Sequence, residues 1–76
     1  MIITFDPRKR DRALKERALD FAVDAAKLFA GRHFDFEADR RDYRETRMIT
    51  AGWLDRRMVI MVWTQRGNAR HVMSFR

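Results

Sequence analysis

The feature that most constrains the fold is an apolar run near the C-terminus. Residues 58–63 read Met-Val-Ile-Met-Val-Trp, and residues 56–76 around them contain five arginines and no acidic residue. A short run that is apolar on both faces is typical of the central strand of a sheet. We therefore expect a sheet with a buried central strand and positively charged ends, which is a surface suited to polyphosphate.

Arginine dominates the basic residues. The chain has fourteen arginines and three lysines, and its formal net charge is +6. The planar guanidinium group binds phosphate oxygens in a bidentate manner and stacks on bases, so this bias favours a nucleic-acid partner. A GC-rich coding sequence produces the same bias without any such function, and composition alone leaves both readings open.

Length and composition limit the remaining possibilities. The 76 residues predict one domain, residues 1–76, that buries about 60% of its unfolded surface and gains stability from a partner. The absence of cysteine excludes disulfides and thiolate metal sites. No apolar stretch reaches the ~18 residues of a membrane span, and no signal peptide is present, which predicts a soluble cytoplasmic protein.

Two helices are predicted in the N-terminal half. Asp6 and Pro7 form a helix start, and residues 8–17 continue it with a charged surface that is solvated or, alternatively, holds RNA phosphates. Asp20 caps a second helix that ends before Gly31. The core-facing stripe of this second helix consists of Phe21, Ala25, Leu28 and Phe29.

Strands are predicted in the C-terminal half. Residues 33–39 alternate between apolar and polar, a charged loop follows at 40–44, and strands follow at 45–54, 57–65 and 69–76. Short connections make this an antiparallel meander. We predict an α+β fold with the order β-α-α-β-β-β-β, in which the two N-terminal helices pack on one face of a small twisted antiparallel sheet.

Register predicts which side chains share the uncovered face. A two-residue turn at Asp55 and Arg56, with Thr64 opposite Arg70, places Arg70 on this face and His71 on the helix-packed face. The charged members of the uncovered face are then Glu45, Arg47, Arg66, Arg70 and Arg76. Its floor consists of Ile49, Ala51, Ile60, Val62, Val72 and Ser74.

This face has two interpretations. Arginines with one carboxylate and a hydroxyl on a rigid sheet can bind a phosphodiester and stabilise its pentacoordinate transition state. Alternatively, Glu45 only pairs with Arg47 or Arg66 at a sheet edge.

A second cluster lies on the first strand of the meander. Its residues are His33, Asp35, Glu37 and Asp39. They project from one side of that strand and could ligate a hard divalent ion. We favour an edge strand protected by charge.

The order of these motifs resembles the BrnT family of bacterial type II toxins. These are small ribonucleases with a RelE-like fold, neutralised by a ribbon-helix-helix antitoxin called BrnA. The resemblance covers nearly the whole chain. It rests on Phe5, Asp6, Pro7, Lys9, the second helix, Glu45-Thr-Arg47, Gly52, Thr64-Gln-Arg66 and residues 70–76.

The resemblance implies a function and a site. It implies an endoribonuclease toxin that inhibits translation, with RNA as substrate, a BrnA-type antitoxin as partner and a homodimer or toxin–antitoxin heterotetramer as the assembly. Family-typical positions, predicted here as catalytic, are Glu45, Arg47, Arg66, Arg70, Ser74 and Arg76.

The residues add a mechanism to this expectation. We predict cleavage without metal or cofactor, through attack of the RNA 2′-hydroxyl with Glu45 as general base. The alternatives are a non-catalytic RNA-binding or ribosome-associated protein that uses the same face, and a pure interaction protein that docks through its apolar floor.

Three places depart from the family pattern. Residues 15–18 replace Lys-His-Gly between the helices, and Asp42 and Tyr43 replace His-Ser. The family commonly continues past the position of Arg76 into a basic helix, whereas this sequence lacks that helix. If catalysis requires the helix, we expect this chain to be inactive.

Overall fold

A computed structural model describes residues 1–38 and 45–76. The elements are β1 Ile2–Phe5, α1 Pro7–Arg17, α2 Val23–Ala30, β2 His33–Glu37, β3 Arg47–Leu54, β4 Arg57–Arg66 and β5 Ala69–Phe75. The sheet order is β1-β5-β4-β3-β2, with β1 parallel to β5 and all other pairs antiparallel. The predicted α+β fold is confirmed. The predicted loop at 40–44 and Asp39 lie outside the described residues.

Local capping explains where α1 begins. The Asp6 carboxylate accepts a hydrogen bond from the Arg8 N–H at 2.9 Å, and Pro7 occupies the first turn of α1. Before α2, the Asp20 carboxylate accepts the Ala22 N–H at 2.9 Å. The predicted start of α1 is confirmed, whereas α2 begins at Val23 after Ala22, later than the start predicted at Asp20. Neither helix in the described part of the chain has the length and apolar composition to cross a membrane.

The helices cover one face of the sheet, and the core lies between the two layers. The predicted stripe of Phe21, Ala25, Leu28 and Phe29 is confirmed as core, although Phe21 lies before the first residue of α2. Buried core residues are Ala13, Leu19, Phe21, Ala25, Leu28, Phe29, Val59, Met61, Trp63, Val72 and Phe75. We call the opposite side of the sheet the open face; alternate residues of each strand point to it.

The β3–β4 hairpin has the predicted register. Leu54 lies opposite Arg57, and Asp55 in the turn adopts φ 56°. The register therefore places Arg47, Ile49 and Ala51 on the open face, as predicted.

The β4–β5 hairpin differs from the prediction. Strand β4 continues to Arg66, which pairs with Ala69 across a two-residue turn whose Gly67 has φ +59°. Thr64 consequently lies opposite His71, and the predicted pairing of Thr64 with Arg70 is wrong. Glycine is suited to this left-handed conformation because it has no Cβ.

A bulge then shifts the register a second time. Val72 pairs with Trp63 and Ser74 pairs with Val62, so Met73 is an extra residue in β5. Val72 is fully buried on the helix side, and its predicted place in the uncovered floor is wrong. Ser74 and the following Arg76 return to the open face, because the bulge restores the predicted alternation.

Candidate active site

A bidentate ion pair lies at the rim of the open face. Arg66 Nη2 donates to Glu45 Oε1 at 2.9 Å, and Arg66 Nε donates to Glu45 Oε2 at 3.4 Å. The hydrogen bond from Arg66 lowers the pKa of Glu45, with smaller contributions from Thr64 and the charge of Arg47. Glu45 is therefore ionised at neutral pH and is a weak base that holds Arg66 in a fixed orientation.

His71 lies on the same face, contrary to the prediction that placed it among the helices. Its Nδ1 is 2.8 Å from the hydroxyl of Thr4, which is its register partner on β1. Burial lowers the pKa of His71, and the charge of Arg66 lowers it further. His71 is thus neutral at pH 7 and available as a proton acceptor through Nε2 when Nδ1 carries the proton.

A depression of about 400 Å³ lies on the open face, and Glu45, Arg66 and His71 are not among its lining residues. We call it the site groove; it is lined by Lys9, Ala38, Arg47, Ile49, Val62, Met73 and Ser74. Lys9 comes from the first turn of α1, whereas Arg47 comes from β3. Sequence reasoning did not select Lys9 as a site residue. Only its position in the family motif signalled it.

Arg70 lies on the helix side of the sheet, away from the other predicted site residues. Its Cζ is 4.3 Å from the ring centroid of Phe29 and 4.6 Å from that of Trp63. The two rings meet edge to face with centroids 5.4 Å apart. A guanidinium against two aromatic rings stabilises the packing of α2 on the sheet.

The polar row on β2 also faces the helix side. Trp63 Nε1 donates to Thr50 Oγ1 at 2.7 Å, and Thr50 Oγ1 donates to Asp35 Oδ1 at 2.5 Å. Asp35 also lies 3.6 Å from Nε2 of His33. The described residues contain no group of three or more His, Cys, Asp or Glu side chains that could hold a metal ion. Asp39, the fourth predicted ligand, is outside them.

Large apolar side chains are exposed on the open face. Phe34 is 72% exposed and Phe36 is 50% exposed, because β2 turns its polar row toward the helices. Trp53, Met58 and Ile60 are between 46% and 56% exposed and extend the same surface. Large contiguous apolar surfaces on small proteins mark interaction sites.

These features define a class: small α+β proteins with an open sheet face lined by arginines, a histidine and apolar side chains. A family model described as "Ribonuclease toxin, BrnT, of type II toxin-antitoxin system" matches residues 5–76. The chain belongs to this family of ribonuclease toxins, which implies an antitoxin partner. Comparisons with curated proteins and with solved structures gave no match.

Proposed function

We propose that this protein is an endoribonuclease toxin that cleaves RNA on the open face and thereby inhibits translation in the cytoplasm. The observation that carries the proposal is the position of His71, a half-buried and neutral histidine beside the Glu45–Arg66 pair. A proton acceptor next to fixed cations is what phosphodiester cleavage requires.

The reaction uses the RNA's own 2′-hydroxyl as nucleophile. Nε2 of His71 takes the hydroxyl proton while the 2′-oxygen bonds to phosphorus. The bond from phosphorus to the 5′-oxygen breaks, and that oxygen takes a proton from solvent. The Thr4 hydroxyl oxygen accepts a hydrogen bond from Nδ1–H of His71 and keeps the ring in the required tautomer. The products are a 2′,3′-cyclic phosphate and a 5′-hydroxyl.

Cations on the site supply charge compensation. Lys9 and Arg47 line the site groove, and the positive charges of Arg66 and Lys9 both act on His71 and lower its pKa. They stabilise the extra negative charge of the pentacoordinate transition state, the task that a divalent ion performs in other nucleases. Ser74 offers a hydroxyl to a phosphate oxygen, and Arg76 extends the positive surface. We therefore propose metal-independent cleavage.

The role of Glu45 is distinct from that of His71. Sequence reasoning predicted Glu45 as the base, but its lowered pKa makes it the weaker acceptor. In our proposal Glu45 is a positioning residue that orients Arg66. Arg70 stabilises the helix–sheet packing instead of contacting RNA, because its guanidinium group lies on the other side of the sheet.

The antitoxin covers the apolar part of the open face. We assign this role to a BrnA-type ribbon-helix-helix partner with an apolar segment and acidic side chains, because exposed Phe34 and Phe36 share the face with arginines. Two toxins on a dimeric antitoxin give a heterotetramer. Self-dimerisation of the toxin through the same face is the alternative, and light scattering with and without antitoxin distinguishes them.

Purified protein and labelled RNA test the enzymatic proposal. We expect cleavage in EDTA with 2′,3′-cyclic phosphate ends, and no cleavage when the scissile nucleotide is 2′-deoxy. Binding without cleavage would favour the alternative of a non-catalytic RNA-binding protein, which the same cations serve equally well. Activity that EDTA abolishes and magnesium restores would contradict the metal-independent mechanism.

A further inference from the structure

A second depression continues the site groove toward the body of α1. Its volume is about 240 Å³. We call it the α1 groove; it is lined by Lys9, Arg12, Arg17, Phe21, Met73, Ser74, Phe75 and Arg76. The two grooves share Lys9, Met73 and Ser74, so together they form one channel along the C-terminal half of β5.

The helix turns a specific set of cations toward this channel. At about 100° per residue, Lys9 and Arg17 lie about 40° on either side of Ala13, and Arg12 lies about 100° from it, next to Lys9. Ala13 is 1% exposed and fixes that side against the rest of the protein. The other exposed cations of α1, Arg8 and Lys15, point about 140° and 160° away from Ala13 and are not among the residues that line the groove.

Among residues 1–38 and 45–76, no acidic side chain lines the α1 groove. Asp11 and Glu16 belong to the same helix but are not among its lining residues. Arg10 is committed elsewhere, because it donates two hydrogen bonds to Asp20 at 3.2 and 3.1 Å. Four cations, Lys9, Arg12, Arg17 and Arg76, therefore line one groove that has no acidic side chain from the described part of the chain.

From this arrangement we infer that the α1 groove binds the phosphodiester backbone of single-stranded RNA next to the scissile phosphate. A basic channel that tracks the backbone is the usual means of holding a single strand without reading its sequence. The inference rests on the proposed ribonuclease function and adds the path of the substrate. Arg12 and Arg17 are then backbone contacts, whereas Arg8 and Lys15 are solvated charges.

Two double variants with the same charge change test this assignment. Arg12→Gln with Arg17→Gln removes cations from the groove, and Arg8→Gln with Lys15→Gln removes two cations of the same helix that do not line the groove. The probe is a 2′-O-methyl RNA of about 12 nucleotides, which cannot be cleaved and is long enough to occupy a channel of this kind. Fluorescence anisotropy over a range of salt concentrations measures affinity, and circular dichroism checks folding.

The groove variant should bind about tenfold more weakly, and the slope of log K against log salt should fall by about 1.4, which corresponds to two lost phosphate contacts. The control variant should change affinity by less than about twofold. With cleavable RNA, KM should rise about tenfold in the groove variant and stay unchanged in the control variant.

The outcomes separate this inference from the proposal on which it rests. Equal losses in the two double variants would overturn the α1 groove as a binding path, even if the wild-type protein cleaves RNA. A selective loss of binding in the groove variant would support the path, even if the wild-type protein cleaves nothing and the ribonuclease proposal fails.

Discussion

The two faces of the sheet carry the same residue types in different roles. On the helix side, Arg70 stacks on aromatic rings and Asp35 takes part in the hydrogen-bond chain from Trp63 through Thr50. On the open face, Arg66 holds Glu45 in an ion pair and His71 stands beside it. The type of a residue therefore does not by itself determine its role. The role of each side chain depends on whether its polar group contacts the aromatic rings of the core or lies on the open face.

Substitutions of the two histidines, one on each face of the sheet, test this difference between the faces most strongly. His71→Ala should slow RNA cleavage by about 10² to 10⁴-fold, the range for losing a general base, while RNA affinity changes little. His33→Ala is the matched control on the helix side and should leave cleavage by the folded protein unchanged. Single-turnover rates with saturating protein measure both effects.

The pH dependence of the cleavage rate is a second test of the role of His71. Only neutral His71 accepts a proton, so the rate should fall as pH drops through a pKa that burial and Arg66 hold below the ordinary histidine value. The His71→Ala variant should lose this acidic limb. If the rate of that variant still falls at low pH as in the wild type, another group is the general base, and Glu45 is the first candidate.

Substitution of Gly52 tests how closely the helices approach their side of the sheet. A Cβ at Gly52 would lie 2.6 Å from the backbone oxygen of Arg32 and 2.7 Å from Cδ1 of Leu28. The backbone oxygen cannot move away easily, so Gly52→Ala should cost about 3 kcal/mol, roughly a hundredfold in the folding equilibrium. Ala51→Val on the open face should cost less than about 0.5 kcal/mol. Urea denaturation measures both, and similar losses would contradict the contrast.

Substitutions of Arg66 and Arg70 test whether the position of the guanidinium group determines its role. Arg66→Ala should reduce cleavage about thirtyfold, less than the hundredfold of a buried oxyanion donor, because Arg66 is half exposed. Arg70→Ala should reduce stability by about 1 kcal/mol through loss of its stacking and leave cleavage by the folded fraction near wild type. A catalytic defect at Arg70 larger than that at Arg66 would restore the prediction made from the sequence.

Periodicity and capping predicted the elements of this fold. The apolar stripe of the second helix and the start of α1 at Asp6 rest on local interactions, and local interactions are visible in a sequence. The β3–β4 register was also predictable, since the two-residue turn at Asp55 follows from the strand lengths. These parts needed no information about distant contacts.

The β4–β5 pairing shows where sequence reasoning fails. A Gly67-Asn68 turn is a recognisable hairpin signal, and giving it weight would have placed His71 opposite Thr64. The bulge at Met73 has no such signal, because an extra residue in a strand is decided by packing of Val72 and Phe75 in the core. Since one residue of slip exchanges faces, Arg70 and His71 were assigned to each other's side.

The smallest expected difference between the two regions concerns their arginine–carboxylate pairs. Asp20 bonds Arg10 within the helix layer and is 19% exposed, whereas Glu45 bonds Arg66 at the rim of the open face and is 38% exposed. The hydrogen bond from Arg10 lowers the pKa of Asp20 in the folded state. The unfolded state therefore binds more protons, and the stability that Asp20 contributes is lost as pH falls through its folded pKa.

Asp20→Asn should accordingly lower the free energy of unfolding by about 1 kcal/mol at neutral pH, and the difference from wild type should shrink below about pH 4. Glu45→Gln should leave the free energy of unfolding unchanged and slow cleavage, because the exposed pair is screened by water and its use is to orient Arg66. Urea denaturation at several pH values, combined with cleavage rates, separates the two variants. If Glu45→Gln destabilises the protein as much as Asp20→Asn does, the pair on the open face is structural as well, and the division of roles between the two regions fails at this point.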